Sequence, residues 1–117
     1  MKSLIDLSVV LPCYNVDSFI ERTLHILTNH LNQLSLSWEV ILVDDGSTDS
    51  TCSTISRLPF LNCRLVSLDR NYGKGRAVKI GMLESRGTYR IFTDADLPYD
   101  MQSLDDCLTY LKDYHYP

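Results

Sequence analysis

The stretch YRIFTDADLP, residues 89–98, decides the fold class, because a short apolar run passes directly into two aspartates one residue apart. The apolar run predicts a buried strand over residues 89–92. Ligand sites of open α/β sheets lie at the carboxyl ends of the strands. Asp94 and Asp96 fall there, and paired carboxylates suit Mg²⁺ or Mn²⁺ carrying a substrate's phosphates. Taken alone, the pair equally suits a strand end and the cap of a following helix.

Outward from this stretch, the chain alternates between strand and helix patterns. Apolar, β-branched runs predict three earlier strands over residues 7–11, 38–43 and 64–68. Pro12 ends the first of these runs, since proline cannot donate to a strand ladder. The resulting order, strand and helix in strict alternation, predicts an α/β domain with a parallel sheet.

The helix patterns carry recognisable start and stop signals. Ser18 and Glu21 have the spacing of a capping box at the start of the first helix. The third helix is predicted over residues 76–86, with Gly87 in the position that commonly terminates a helix. A cap at Asp100 opens the fourth helix, which has leucines at helical spacing.

Composition bounds the function classes. The chain has 117 residues, 44% of them hydrophobic and 22% charged, and a net charge of -4, which suits one soluble domain over residues 1–117. The absence of a Lys/Arg stripe argues against nucleic-acid binding. No apolar run reaches the length of a membrane span or a signal peptide. The four cysteines form no Cys-x-x-Cys pair, which indicates reduced thiols in a cytoplasmic protein.

Three strand ends carry unusual polar chemistry: residues 12–15, 44–47 and 94–96. In a parallel sheet these ends lie on one edge, so their side chains converge on one crevice. Their carboxylates would repel one another, and a bound metal would supply the missing positive charge. Alone, the Asp-Asp-Gly-Ser segment also fits a turn followed by a helix cap.

Four segments together carry a family resemblance: VVLPCYN at 9–15, VDDGSTD at 43–49, NYGKGRA at 71–77 and TDAD at 93–96. The sequence resembles glycosyltransferase family 2 with the GT-A fold, especially the polyprenyl-phosphate (dolichyl-phosphate) sugar transferases. The resemblance implies a three-layer α/β sandwich with a mostly parallel, Rossmann-like sheet of strand order 3-2-1-4. A topological switch would then lie between the first and fourth strands.

The resemblance also implies a set of substrate-binding residues, all at strand ends or in the loops that follow them: Pro12, Tyr14, Asn15, Asp44, Asp45, Lys74, Asp94 and Asp96. The first three would border the nucleoside, and the next two would face the nucleobase and ribose. The lysine would lie near the phosphates, and the last two aspartates would hold Mg²⁺ or Mn²⁺. The family transfers sugar with inversion from a UDP- or GDP-sugar to an acceptor such as polyprenyl phosphate, while the metal steadies the departing diphosphate.

Two departures from the family pattern bear on these implications. Pro98 stands where many polyprenyl-phosphate transferases have a glutamine that assists the metal. The family's domain also continues for roughly another domain-half, which brings the acceptor site and the general base. We therefore expect residues 1–117 to form the nucleotide-sugar-binding portion, with no catalytic residue of its own and no efficient turnover. A full-length form would work at the membrane face.

Two other functions fit parts of the sequence. In a haloacid-dehalogenase-like phosphotransferase, Asp94 would be the nucleophile and Asp96 the acid/base, with Mg²⁺; the Asp-Asp-Gly-Ser segment then has no role. A nucleotide-binding half-domain without turnover is the non-enzyme alternative. The three histidines have no acidic neighbour at ligand spacing and are predicted to be surface or packing residues.

The fourth strand is expected at the edge of the sheet, with Phe92 and Leu97 beside unpaired backbone groups. Such an edge is a template for pairing with a second chain. Tyr110, Tyr114 and Tyr116 add aromatic surface of the kind enriched at interfaces. Because two-fold dimers are the commonest soluble oligomers, we predict a homodimer through this side.

Overall fold

The computed structural model describes residues 4–96 and 101–113. Strands and helices alternate along the chain as predicted, and their bounds are β1 Leu7–Cys13, α1 Ile20–Asn32, β2 Trp38–Asp44, α2 Thr51–Arg57, β3 Cys63–Ser67, α3 Lys74–Glu84, β4 Tyr89–Phe92 and α4 Met101–Asp113. The strands form one parallel sheet in the order β3-β2-β1-β4, which confirms the predicted order.

Helices cover both faces of this sheet, so the predicted three-layer sandwich is also confirmed. The chain passes from β1 through β2 to β3 in one direction and then returns to the far side of β1 as β4. Crossovers of one hand that run in opposite directions place their helices on opposite faces. Accordingly, α1, α2 and α4 pack on one face and α3 on the other.

The larger core lies between α1 and the sheet. The leucines of α1 at helical spacing, Leu24, Leu27 and Leu31, are fully buried there. The predicted capping box at the start of α1 is wrong. The N-cap is Phe19, whose side chain cannot cap, and the helix instead begins in a tight turn in which the Val16 carbonyl accepts from the N–H of residue 20 at 2.9 Å.

The smaller core lies between α3 and the other face of the sheet. It requires a glycine in α3, because the helix lies very close to the strands. A Cβ on Gly81 would come within 2.3 Å of a Val10 methyl. The predicted role of Gly87 is wrong, because α3 ends at Glu84 and its C-cap is Ser85 in extended conformation. Gly87 instead packs on the backbone of Ser8, where an added Cβ would lie 2.6 Å from the Ser8 nitrogen.

A buried polar network lies at the end of the sheet where the strands begin. The Ser8 hydroxyl donates to the Glu39 carboxylate at 2.6 Å and accepts from the Gly87 N–H at 2.7 Å. The Arg86 N–H also donates to Glu39, at 2.6 Å. Glu39 is 8% exposed, and these donors offset the cost of burying its carboxylate.

Pro12 does not end β1, contrary to the sequence prediction; the strand continues to Cys13. The carbonyl of Val10 points to the β4 side and accepts from the Thr93 N–H at 3.0 Å. Directions alternate along a strand, so Pro12 also points to that side. Because β4 ends at Phe92, opposite Val10, no ladder hydrogen bond is lost by having proline there.

The helix α4 covers part of the larger core with Leu104 and Leu108. Its Asp105 lies 2.7 Å from the Nε2 atom of His30 on α1, so this histidine does have an acidic partner, contrary to the sequence prediction. Phe92 is 50% exposed and Tyr110 63% exposed, but the homodimer stays a prediction.

Several sequence predictions fall on residues outside the described ranges: those for Leu97, Pro98, Asp100, Tyr114 and Tyr116. Within the described ranges, no helix is both long enough and apolar enough to span a bilayer.

Candidate functional site

A cavity of about 360 Å³ lies at the carboxyl edge of the sheet. Its described lining comes from the ends of β1, β2 and β4 and from the loop that opens α3: Pro12, Cys13, Tyr14, Asp45, Asn71, Gly73, Lys74 and Asp94. The strand ends thus meet as the parallel topology predicts.

The predicted binding residues divide into two groups. Pro12, Tyr14, Asp45, Lys74 and Asp94 line the cavity together. The other three do not belong to its described lining: Asn15, Asp44 and Asp96. Their assigned roles remain predictions, and their contacts are given below.

Asp45 fastens the end of β2 to the loop before α3. Its carboxylate is 4% exposed and accepts two consecutive backbone N–H groups, from Tyr72 at 2.8 Å and from Gly73 at 2.9 Å. Charge-assisted hydrogen bonds of this kind are stronger than neutral ones. The carboxylate therefore fixes the loop that carries Lys74 into the cavity.

Gly46 allows this loop to approach. Its φ is +72°, and an added Cβ would lie 2.3 Å from the carbonyl carbon of Arg70 and 2.5 Å from the nitrogen of Asn71. Only glycine combines this backbone conformation with such close contact. Sequence reasoning missed Asn71 and Gly73 as lining residues; they lie within the NYGKGRA segment, which was the available signal.

Asp44 points away from the cavity. One carboxylate oxygen accepts from the N–H of Ser47 at 3.3 Å and from its hydroxyl, and the other accepts from the thiol of Cys52 at 2.9 Å. The residue is 4% exposed. In this arrangement Asp44 has the turn chemistry that the sequence also allowed.

Asn15 ties the loop after β1 to the turn after β2. The side-chain oxygen of Asn15 accepts from the backbone N–H of Thr48 at 2.8 Å, and the backbone N–H of Asn15 donates to the Ser47 hydroxyl at 2.9 Å. Its φ is +53°, a conformation that asparagine tolerates better than most residues. The adjacent Val16 N–H donates to Thr51 at 2.9 Å, so two strand-end loops form one unit.

Cys13 lines the cavity as a neutral thiol. Burial, followed by the nearby Asp44 carboxylate and Cys52, raises its pKa from 9.0 to about 12. A thiolate, not a thiol, is the nucleophile in cysteine catalysis. Cys13 therefore contributes packing to the cavity and not nucleophilic chemistry.

The Asp-x-Asp turn presents its two carboxylates to solvent and buries the residue between them. Asp94 and Asp96 are exposed, whereas Ala95 is 4% exposed in the larger core. The ammonium of Lys74 forms an ion pair with Asp94 across the cavity mouth. A carboxylate and an ammonium group thus face the same space.

The donor set fits a divalent cation held jointly by protein and ligand. Among the residues that the structure describes, no cluster of three His, Cys, Asp or Glu side chains could hold a metal by itself. Mg²⁺ typically takes one or two carboxylates and completes its shell with phosphate and water. Asp94 offers one such carboxylate in the cavity lining, and the exposed Asp96 offers a second one two residues further along the same turn.

A basic and aromatic cluster borders the cavity. The guanidinium groups of Arg70 and Arg76 each lie over the Tyr72 ring, at 4.9 and 4.8 Å from its centroid. Its hydroxyl donates to Asp69 at 2.8 Å, and this hydrogen bond is the main cause of the lowered pKa of that carboxyl. These contacts act on the same loop whose backbone N–H groups donate to Asp45.

Fold and site together define an α/β domain with a polar ligand cavity at the topological switch of its sheet. The chain belongs to glycosyl transferase family 2, whose family model matches residues 8–116. This membership decides against the haloacid-dehalogenase-like alternative and confirms the resemblance of the four segments.

Over the aligned residues, the chain is about two fifths identical to several polyprenyl-phosphate sugar transferases. A dolichyl-phosphate beta-glucosyltransferase of Dictyostelium discoideum is 44% identical over 99 residues, covering 77% of this chain and 30% of the relative. An undecaprenyl-phosphate 4-deoxy-4-formamido-L-arabinose transferase of Aeromonas hydrophila is 39% identical over 93 residues, covering 77% and 28%. The chain thus spans about three tenths of the length of these relatives.

Solved structures confirm the GT-A fold. A mannosyltransferase from Pyrobaculum calidifontis, in complex with GDP-Man and Mn²⁺, superposes with a TM-score of 0.75 at 28% identity, covering 94% of this chain and 33% of that protein. Residues 1–349 of S. aureus TarS, in complex with UDP-GlcNAc, give a TM-score of 0.73 at 25% identity, covering 95% and 32%.

Proposed function

We propose that residues 1–117 form the donor-binding portion of a glycosyltransferase that takes a UDP- or GDP-sugar together with Mg²⁺ or Mn²⁺. The observation that carries this proposal is the cavity at the strand ends, where the Asp94 carboxylate and the Lys74 ammonium face one space. A cation and a diphosphate need these two opposite charges side by side. The UDP-GlcNAc, GDP-Man and Mn²⁺ with which the solved neighbours are in complex support the same ligand class.

Each lining group has a definable task toward such a donor. Tyr14, 46% exposed, and Pro12 offer an aromatic and a flat apolar surface to a nucleoside. Asp45 can accept from a nucleobase N–H or ribose hydroxyl with lone pairs that the loop does not use. Lys74 turns from Asp94 to the diphosphate, and Asp94 and Asp96 hold the cation. The bound cation would neutralise the departing diphosphate as a Lewis acid.

The acceptor in this proposal is a polyprenyl phosphate, and the sugar is transferred with inversion. The support is that relatives at 39–44% identity are named as dolichyl-phosphate and undecaprenyl-phosphate transferases. With a lipid acceptor, the full-length enzyme would work at a membrane face. Two carboxylates beyond the Asp-x-Asp turn are otherwise engaged: Asp105 pairs with His30, and Asp106 accepts from Gln102 at 2.9 Å. We therefore assign donor binding, without efficient turnover, to this chain.

Thermal unfolding tests the proposal. UDP or GDP with Mn²⁺ should raise the melting temperature, because a ligand at about 100 times its Kd stabilises the folded state by about 2.7 kcal/mol. Asp96→Ala should remove the dependence on Mn²⁺ and leave binding of nucleotide alone. Asp106→Ala, an exposed aspartate on α4, is the matched control and should behave as wild type.

Two outcomes would count against the proposal. An unmoved melting curve with each nucleotide at millimolar concentration and Mn²⁺ would show that the cavity is not a donor site. Hydrolysis of a generic aryl phosphate by the chain would point instead to phosphotransfer chemistry.

A further inference from the structure

Thr23 of α1 makes a buried hydrogen bond to the Asp-x-Asp turn, 72 residues away in the sequence. Its hydroxyl donates to the main-chain carbonyl of Ala95 at 2.7 Å. Both partners are enclosed: Thr23 is 5% exposed and Ala95 4% exposed. The methyl group of Ala95 belongs to the larger core that α1 covers. The middle residue of the turn is thus held by both its side chain and its carbonyl.

The turn is fixed at a second point just before the aspartates. The Thr93 N–H donates to the Val10 carbonyl at 3.0 Å and extends the ladder between β1 and β4. The held positions, 93 and 95, alternate with the exposed ones, 94 and 96. Because the two carboxylates extend from backbone that is anchored on either side of Asp94, their directions depend on both anchors.

We propose that Thr23 is a positioning residue for the cation ligands Asp94 and Asp96. It does not itself reach the ligand. Its hydroxyl fixes the peptide plane between Ala95 and Asp96, and so the direction in which the two flanking carboxylates leave the turn. Groups that orient metal ligands without binding the metal commonly change its affinity by about 10- to 100-fold when removed. This inference rests on the proposed function, since it concerns the same cation.

Thr23→Val tests the inference, because valine keeps the shape of threonine and removes the hydroxyl. Thr28→Val is the matched control: Thr28 lies on the same helix, is 4% exposed, and donates to the carbonyl of Leu24 within α1 at 2.6 Å. In the presence of UDP or GDP, Mn²⁺ affinity should fall about 10- to 100-fold in Thr23→Val and stay at the wild-type value in Thr28→Val. Thr23→Ser, which keeps the hydroxyl, should restore most of the affinity.

A second measurement needs neither metal nor nucleotide. Amide hydrogen exchange at residues 93–96 should be faster in Thr23→Val than in wild type, and unchanged in Thr28→Val. If the valine variant does not fold, Thr23→Ala takes its place. Wild-type Mn²⁺ affinity and unchanged amide exchange in the folded Thr23 variant would overturn the inference. An equal loss of affinity in Thr28→Val would overturn it too, since the effect would then be general to the helix.

The two proposals fail in distinguishable ways. If wild-type protein binds neither nucleotide nor Mn²⁺, the proposed function fails, and the amide exchange still shows whether Thr23 holds the turn. If wild-type protein binds both, and Thr23→Val binds Mn²⁺ equally well, only the role of Thr23 is refuted.

Discussion

Gly46→Ala should destabilise the protein by about 2–5 kcal/mol, through two costs that the structure separates. The first is conformational: φ at this position is +72°, and a residue with a Cβ pays about 1–2 kcal/mol there. The second is steric: the Cβ would lie 2.3 Å from the main-chain carbon of Arg70. Backbone cannot rotate aside, so the loop must move and the hydrogen bonds from residues 72 and 73 to Asp45 must weaken. Bonds to a charged group contribute about 1.5–3 kcal/mol each.

Urea unfolding measures this change in the free energy of unfolding, provided that the m-value stays constant. Gly75→Ala is the control, since Gly75 lies in α3, lacks a positive φ and has nothing within 4 Å of an added Cβ. That variant should match wild type or exceed it by up to about 1 kcal/mol, because alanine favours helix. A Gly46→Ala variant within about 0.5 kcal/mol of wild type, or equal losses in both variants, would refute the idea that close approach of the loop requires glycine.

Two further predictions concern the cavity lining. Lys74→Met should raise the affinity for Mn²⁺ alone about two- to fivefold by freeing Asp94 from an exposed ion pair, and should weaken binding of UDP alone; calorimetry checks both. Lys79→Met, an exposed site on the same helix, should change neither, and an equal effect there would contradict the pairing. The pKa of Cys13 in the folded state is raised to about 12 from 9.0. The contribution of the protonated thiol to the free energy of unfolding is therefore complete below pH 9 and is lost as the pH rises toward 12. The loss is at most about 1.4 kcal/mol per pH unit. Unfolding free energies measured between pH 8 and 10.5 should therefore fall less steeply in Cys13→Ala; parallel slopes would show that the thiol titrates normally.

The sequence predicted the sheet well because each strand has a local signal in its own residues. Continuous apolar runs predicted all four strands, and the predicted bounds of β4, Tyr89–Phe92, match the structure. The strand order came from the four-segment resemblance and not from periodicity, since nothing local states which strands are neighbours. The convergence of strand ends then followed from parallel topology alone.

Predictions failed where a tertiary contact outweighed a local signal. A glycine at position 87 is typical of a helix terminator. In the structure, its lack of a Cβ instead lets the chain pass close to Ser8. Asp44 and Asp45 are adjacent and chemically identical, yet one faces a turn and the other faces the loop before α3. That loop approaches only because Gly46 has no Cβ, and such a contact between distant segments has no signature at either position.

The unequal lengths of β1 and β4 have a consequence for what can enter the cavity. The strand β4 pairs with β1 only as far as Val10, so no strand among the described residues pairs with β1 beyond that point on this side. An N–H at position 12 would give any neighbouring peptide segment a point at which to extend the sheet. Pro12 offers none, so a further strand on this side could not accept a backbone hydrogen bond from that position. Pro12 thus lines the cavity at a position where β1 has no backbone N–H to give to an additional strand.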